Sequence, residues 1–556
     1  MEAYELKSHV SVASRSKAQV GSSVRERDNA HLQRMGKKPV LKRNFGILSI
    51  LGFSCTILGT WEGLLGTFTG PLANGGSGGA IYAYIFGWVG TFANFMVLAE
   101  LASMAPTAGG QYHWAAMLAP ARLQKFLSFV TGKFLIHIEI LGDLSLLTWS
   151  KIGWFAVLGW QSAFAACAFL TGKMIQGAAI VGNNLYNALP WEGTLIIWAS
   201  LSLALLVNLV GGKLLPRIEV IILVVHILGF FGILIPLVYM ADHNTKEQVF
   251  LSFENDGGFA TQGLSWFVGM TSCAFAFAGG DAAVHMSEEV ANASRVIPNA
   301  LMLSVGINGC LGFGMIIAMM FCAGADLGGT LGKITGYNFM GIFVEATNSV
   351  SGSLAMIAIV IIIYACSLMG LLAAASRQLW SFSRDRGVPG WQLWSQVSTG
   401  KQLPIYSIII TVTVATLLAL INIGSDAAME DVVSMAVSGI YFSYLMVASL
   451  LFNRRVRGDI SRFNDNEDDI VNVPGAKLVW GPFHCPGIVG TVINGYAIIY
   501  ITIVIFFSFW PSEMNPGIEG MNWSILAIGG SMFLAIVYYI LRARHIYSGP
   551  IVEVSR

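Results

Sequence analysis

Charge is scarce in this 556-residue chain. It carries 32 Lys and Arg with 31 Asp and Glu, 11% of the residues, where an ordinary soluble domain has about 25%. That shortage excludes a disordered chain, a coiled coil and a water-soluble enzyme of usual composition. Cysteine is sparse as well. The seven (Cys55, Cys167, Cys273, Cys310, Cys322, Cys366 and Cys485) form no CxxC pair, and six lie in or beside apolar runs. They read as small packing residues, not as disulfides or metal ligands. No phosphate-binding P-loop is present, which argues against a nucleotide-driven mechanism. Residues 1–44 hold ten basic and four acidic side chains and no apolar leader; they are expected to form a disordered tail.

Apolar residues are plentiful, at 55% with a mean hydropathy of +0.66, together with 62 glycines and 12% aromatics. A membrane span needs roughly 20 apolar residues. Twelve stretches qualify: 46–72, 79–104, 124–182, 193–211, 216–240, 262–286, 298–323, 351–380, 404–423, 430–452, 487–510 and 523–541. The fold class expected is therefore an all-α polytopic membrane protein with 12 transmembrane helices. Alternating the loops between sides puts 27 of the 32 Lys and Arg on the side of the two termini and two, Lys246 and Lys333, on the other. By the positive-inside rule both termini are expected in the cytoplasm.

Two of the spans are interrupted in corresponding places. Span 1 reads ILGTWEGLLGTF, with Gly59 and Gly63 around Trp61 and Glu62; span 6 reads CAFAFAGGDAAVHM, with Gly279 and Gly280 before Asp281. Gly-interrupted spans five apart point to an inverted-repeat transporter whose substrate binds at the breaks, because unwound backbone is tolerated in a membrane only where it lines a cavity or binds something. An acid inside a span is costly and marks function by default. Glu62 and Asp281 are thus candidates for proton coupling or for attracting an ammonium. The competing structural readings are an interfacial acid for Glu62 and a helix N-cap for Asp281. Trp61, Phe275 and Phe277 are expected as a cation–π wall, or else as packing aromatics. His226 is the only histidine well inside span 5, a proton relay or a satisfied core side chain. Glu100, ending span 2, is expected to pair with an arginine. Gly75–Gly79 reads as a flexible link between spans 1 and 2.

Four segments carry a resemblance: AELASMAPTAGGQYHW (99–114), NLVGGKLLPRIEVIILVVHILGFF (208–231), GGDAAVHMSEEVANASRVIPNA (279–300) and ASRQLWSFSRDRGVPGW (375–391). In order and spacing they resemble the fungal amino acid/choline transporter family of the amino acid–polyamine–organocation (APC) permease superfamily, from about residue 45 to 545. The resemblance implies a LeuT-like 5+5 inverted repeat with broken helices 1 and 6, plus two further helices. It implies a secondary transporter, proton-coupled, for amino acids, GABA, choline or related amines, with no cofactor and no nucleic-acid partner. Gly59, Thr60, Trp61, Glu62, Gly63, Phe275, Phe277, Gly279, Gly280 and Asp281 carry over as the substrate site. In some superfamily members a span-5 lysine replaces a sodium ion, and its place falls here on His226, the proton-coupling candidate beside Glu62.

The domain reading is a tail at 1–44, a permease domain at 45–545 and a cytoplasmic C-terminal tail at 546–556. Span 3 departs from the family pattern. Residues 133–153 interrupt it and lengthen it to 59 residues, too long for one crossing; they read as an aberrant insert such as a retained in-frame intron, with an interfacial excursion as the alternative. Rival functions are a choline or quaternary-amine permease, and a non-transporting nutrient sensor on the same scaffold. No metal or nucleophile constellation supports an enzyme. The plasma membrane is the expected location, with the vacuolar membrane as alternative.

Overall fold

The computed structural model describes residues 26, 28, 29, 32–120, 152–183, 185–210, 215–324, 334–424, 428–462, 470–518, 520–547, 549–551 and 553. The expected insert, apart from Ile152 and Gly153, lies outside the described residues, as does most of the N-terminal tail.

The described part of the chain is mostly helical. Its elements are α1 (Ile47–Leu58), α2 (Thr60–Thr67), α3 (Gly76–Met104), α4 (Gln111–Leu118), α5 (Ile152–Gly182), α6 (Pro190–Val210), α7 (Leu215–Met240), α8 (Gln262–Ala276), α9 (Ala282–His285) and α10 (Ala293–Cys322). After these come α11 (Asn338–Thr347), α12 (Val350–Arg384), α13 (Ile405–Leu418), α14 (Ala428–Arg457), α15 (Gly487–Phe507) and α16 (Ser524–Tyr538). Two short strands, β1 (Ile460–Ser461) and β2 (Leu478–Val479), pair in parallel after α14. Among the described residues, 11 helices are long and apolar enough to cross a membrane, counting α1 and α2 together. Span 6 is not among these, because α8 and α9 are two short helices with a turn between them.

Local sequence accounts for the ends. Ser349 and Thr261 cap α12 and α8 by accepting backbone N–H bonds from Gly352 and Leu264. Glu430 and Asp431 begin α14 while Arg454, Arg455 and Arg457 end it, the order the helix dipole favours. The outer helices show apolar side chains to their surroundings, among them Ile221, Leu228, Ile488, Phe533 and Leu534. Such a belt suits lipid and not water, and the protein is a multi-pass membrane protein.

Gly75–Gly79 is not a loose link. Gly76 to Gly79 form the first turn of α3, and a Cβ on Gly78 would lie 2.6 Å from the Phe250 carbonyl oxygen. These glycines are there because another backbone runs against them. The expected Glu100 partner is Arg455, whose guanidinium donates to it. Residues 32–44, read from the sequence as tail, are not loose either. Leu32 and Met35 are buried, and the buried Lys37 ammonium meets Asp385 at 2.8 Å just past α12. Tyr112 donates its hydroxyl to the same carboxylate at 2.7 Å, and the Ile551 N–H from the C-terminal segment does so at 2.9 Å. Alongside, Arg384 grips Glu288 with two bonds and Arg377 meets Glu289 at 3.0 Å. Fixed partners in a dry interior order a polar segment that composition alone marks as free.

Candidate functional site

The breaks expected in spans 1 and 6 are present and meet at the centre of the bundle. Gly59 stands between α1 and α2 with φ 36° and ψ 49°, a left-handed conformation that favours glycine. The break is satisfied by neighbours: the Thr60 N–H donates to the Asn308 side chain at 3.2 Å, and the Thr56 carbonyl accepts the Ser367 hydroxyl at 2.6 Å. Of the first-turn N–H groups of α2, that of Gly63 goes back to the Gly59 carbonyl at 2.7 Å. Those of Trp61 and Glu62 have no partner among the described residues and are open donors of the first turn. In span 6, residues 277–281 unwind between α8 and α9, with Gly279 at φ 93°. The two breaks touch closely: a Cβ on Gly63 would lie 3.2 Å from the Ala276 Cα.

Beside them lies a cavity of about 580 Å³, including its open mouth. Gly59, Glu62, Gly63, Phe275 and Gly279 of the expected site line it. Thr60, Trp61, Phe277, Gly280 and Asp281 do not. Phe277 is buried against Tyr84, with ring centroids 5.1 Å apart. Gly280 is pressed under Phe95, where a Cβ would meet the ring at 2.4 Å. Trp61 packs behind Glu62, against His226 and Phe230 at 5.9 and 6.1 Å. Asp281 occupies the N-cap position of α9, but its side chain caps nothing. Its carboxylate instead accepts the Gln111 amide at 2.5 Å and the Tyr444 hydroxyl.

Among the described residues, Glu62 is the one acid that lines the cavity, and the lining holds no Lys or Arg. It is 2% exposed. One carboxylate oxygen lies 2.5 Å from His226 Nδ1; the other has no hydrogen-bond partner among the described residues, and neither has His226 Nε2. The imidazole and the carboxylate are thus direct hydrogen-bond partners, and one carboxylate oxygen beside the cavity is left without a partner among the described residues.

Sequence reasoning missed several members. Tyr364, Ser367 and Leu371 bring α12 to the cavity, Ala163 and Cys167 bring α5, and Ala436 and Ile440 bring α14. Tyr364 donates to the Glu62 carbonyl at 3.2 Å. Its signal was a tyrosine and a serine within an otherwise apolar helix, and the alanines mark where bulk is withheld. Glu219 was also missed. It is 1% exposed on α7 and accepts the Thr56 hydroxyl at 3.3 Å, with its other oxygen unpartnered among the described residues. An acid so near Arg217 is easily taken for the end of a span.

Comparison with known proteins gives this site a context. The family model described as "Amino acid permease" matches residues 45–533. An uncharacterized amino-acid permease of Schizosaccharomyces pombe is 24% identical, with 95% of this chain and 89% of that protein covered. An amino-acid permease of Arabidopsis thaliana is 25% identical over 95% of this chain and 97% of that one. A choline transporter of Saccharomyces cerevisiae is 26% identical over 90% and 81%. These relatives are transporters and not enzymes, and a match running from the head of α1 into α16 leaves little of the chain outside it: the chain belongs to the amino acid permease family of the APC superfamily.

Proposed function

We propose that this permease is a proton-coupled secondary transporter of amino acids or related amines such as GABA, built as a 5+5 inverted repeat that rocks about the cavity. The observation that carries the reading is Glu62, held at the break of span 1 with one oxygen on His226 and the other free beside the cavity. The substrate ammonium sits at that oxygen. A substrate carboxylate takes the Glu62 N–H group at the positive end of α2. A second cavity of about 1070 Å³ including its open mouth, lined by Gly66, Thr67, Glu430, Asp431 and Asn522 among others, is the approach from the side where α14 begins. The basic residues of the termini and of the loops on their side support cytoplasmic ends, and the plasma membrane is the proposed location.

Protonation of the Glu62–His226 pair alternates with ammonium binding, so an inward proton gradient drives uptake. A second reading, choline or another quaternary amine, is favoured by a lining that has Phe275 and Tyr364 and no cationic side chain. The test is uptake of labelled amino acids, GABA and choline, at acidic and neutral external pH, by cells lacking amine permeases. Uptake that rises with acidity and collapses with protonophore is expected. No uptake of any of them despite surface delivery would overturn the transporter reading, and indifference to pH and protonophore would overturn the coupling. Glu62→Gln should impair choline more than a zwitterion; equal loss would count against an ammonium site at Glu62.

A further inference from the structure

The cavity uses Glu62 and His226, but the break in span 6 holds a second buried acid and a second histidine. His285 ends α9, one turn after Asp281, and both are fully buried. His285 Nδ1 lies 2.9 Å from the Ala108 carbonyl oxygen. A carbonyl only accepts, so Nδ1 carries the hydrogen. In the neutral ring Nε2 is then a bare lone pair. It has no hydrogen-bond partner among the described residues, and 3.9 Å away it faces Asp281 Oδ2. Two acceptors confronting each other without water or a donor are unfavourable. One added proton turns that opposition into an imidazolium–carboxylate contact.

We propose that Asp281 and His285 form a second proton-binding site, separate from the Glu62–His226 pair and placed between the substrate cavity and the Glu288–Arg384 ion pair. Its partners come from three elements. Gln111 on α4 and Tyr444 on α14 donate to the carboxylate, and Trp160 on α5 stands edge-on to the imidazole at 5.1 Å and 87°. Among the other titratable groups of the elements packed on α9 are Tyr441 on α14, Tyr112 and His113 on α4, Arg377 and Arg384 on α12, Lys173 on α5 and Arg295 on α10, Arg384 being held by Glu288. Tyr112 is turned to Asp385, His113 to the Asn472 carbonyl and Arg377 to Glu289; α1 carries no Asp, Glu, Lys, Arg or His. Among the described residues, neither Asp281 nor His285 has an ion-pair partner other than its companion. A proton arriving on His285 tightens the tie among α4, α9 and α14, and its departure loosens it. The inference goes beyond the proposed transport and does not depend on it.

Trp160 supplies the readout, because an imidazolium beside an indole quenches its emission and a neutral imidazole does so less. The experiment is a fluorescence pH titration of the full chain in lipid nanodiscs, with the Trp160 contribution taken by difference from Trp160→Phe. The expected result is a titration of Trp160 emission that is lost in His285→Gln. In Asp281→Asn, which removes the anionic companion, the midpoint should move to lower pH. Glu62→Gln and His226→Gln should leave it in place. No titration in the unsubstituted protein, or its survival in His285→Gln, would overturn the proposal. If His285→Gln does not elute as a single species, Asp281→Asn decides: an unmoved midpoint overturns the site. No transported solute is needed, so failure here leaves the transporter reading standing, and absence of amine uptake leaves this titration readable.

Discussion

Replacing Lys37 by Met tests whether the segment before α1 is a structural part of the transporter. The Lys37 ammonium and the Asp385 carboxylate lie 2.8 Å apart with side-chain exposures of 1% and 0%. Burial pushes the Asp385 carboxyl up, but Lys37 and Arg384 outweigh it and hold it below the ordinary carboxylate range. Without Lys37, Asp385 keeps only the neutral donors Tyr112 and Ile551 besides the more distant Arg384, which is committed to Glu288. Stranding one member of a buried pair costs about 3–5 kcal/mol, whereas removing both charges is close to neutral. Lys37→Met should therefore lower the thermal midpoint of the purified full chain strongly, and Lys37→Met with Asp385→Asn should recover most of the loss. The pH dependence has a definite sign. A carboxyl whose folded value lies below its unfolded value contributes stability above the ordinary range and loses it as pH falls through the folded value. The gap between Lys37→Met and the unsubstituted protein should then narrow in acid. A double variant no better than the single one, or a gap that does not narrow, would refute the reasoning.

Three further outcomes follow from particular contacts. Gly59→Ala forces a side chain into the left-handed region, at a cost of about 1–2 kcal/mol, with its Cβ 3.1 Å from the Thr56 carbonyl oxygen; uptake should fall while surface delivery persists, and unaltered uptake would show that the break tolerates a Cβ. His113 is buried on α4, and burial and then Lys37 push its imidazole down to about 4. A histidine kept neutral in the fold loses its contribution as pH falls from its unfolded value of about 6.5 toward 4, about 3 kcal/mol over that window; His113→Gln should flatten the acid side of the stability profile, read by thermal melts from neutral to acidic buffer. Arg455→Met leaves the buried Glu100 with only the Cys485 N–H at 2.6 Å, so a drop of about 3–5 kcal/mol is expected, partly recovered by adding Glu100→Gln in the same melts.

Much of this protein is legible in its sequence because a membrane makes local composition decisive. Apolar length gives the spans, since each must bury its own backbone bonds in helix, and the breaks at Gly59 and Gly279 follow from glycines set in otherwise unbroken apolar runs. An acid in such a run is costly enough to be noticed wherever it stands, which is why Glu62, Asp281 and Glu100 were found by type alone. Helical segments outside the spans, and the segment 32–45 with its buried Leu32, Met35, Lys37, Leu41 and Phe45, escape that logic. The segment 32–45 takes its order from Asp385 and Glu289, and no local pattern announces a partner hundreds of residues away.

What the sequence determined by itself is the multi-pass helical class, the two interrupted spans and the acids beside them, because these depend on hydropathy and backbone freedom within a few turns. What only the tertiary structure decided is how those residues are divided. The unwound turn 277–281 rotates Phe277, Gly280 and Asp281 away from the cavity and leaves Phe275 and Gly279 on it. The crossing of α7 over span 1 sets His226 against Glu62, and α12 adds Tyr364 and Ser367 from three hundred residues on. Which face of a broken helix meets a ligand is fixed by the helices packed around it, and that packing is a property of the whole bundle.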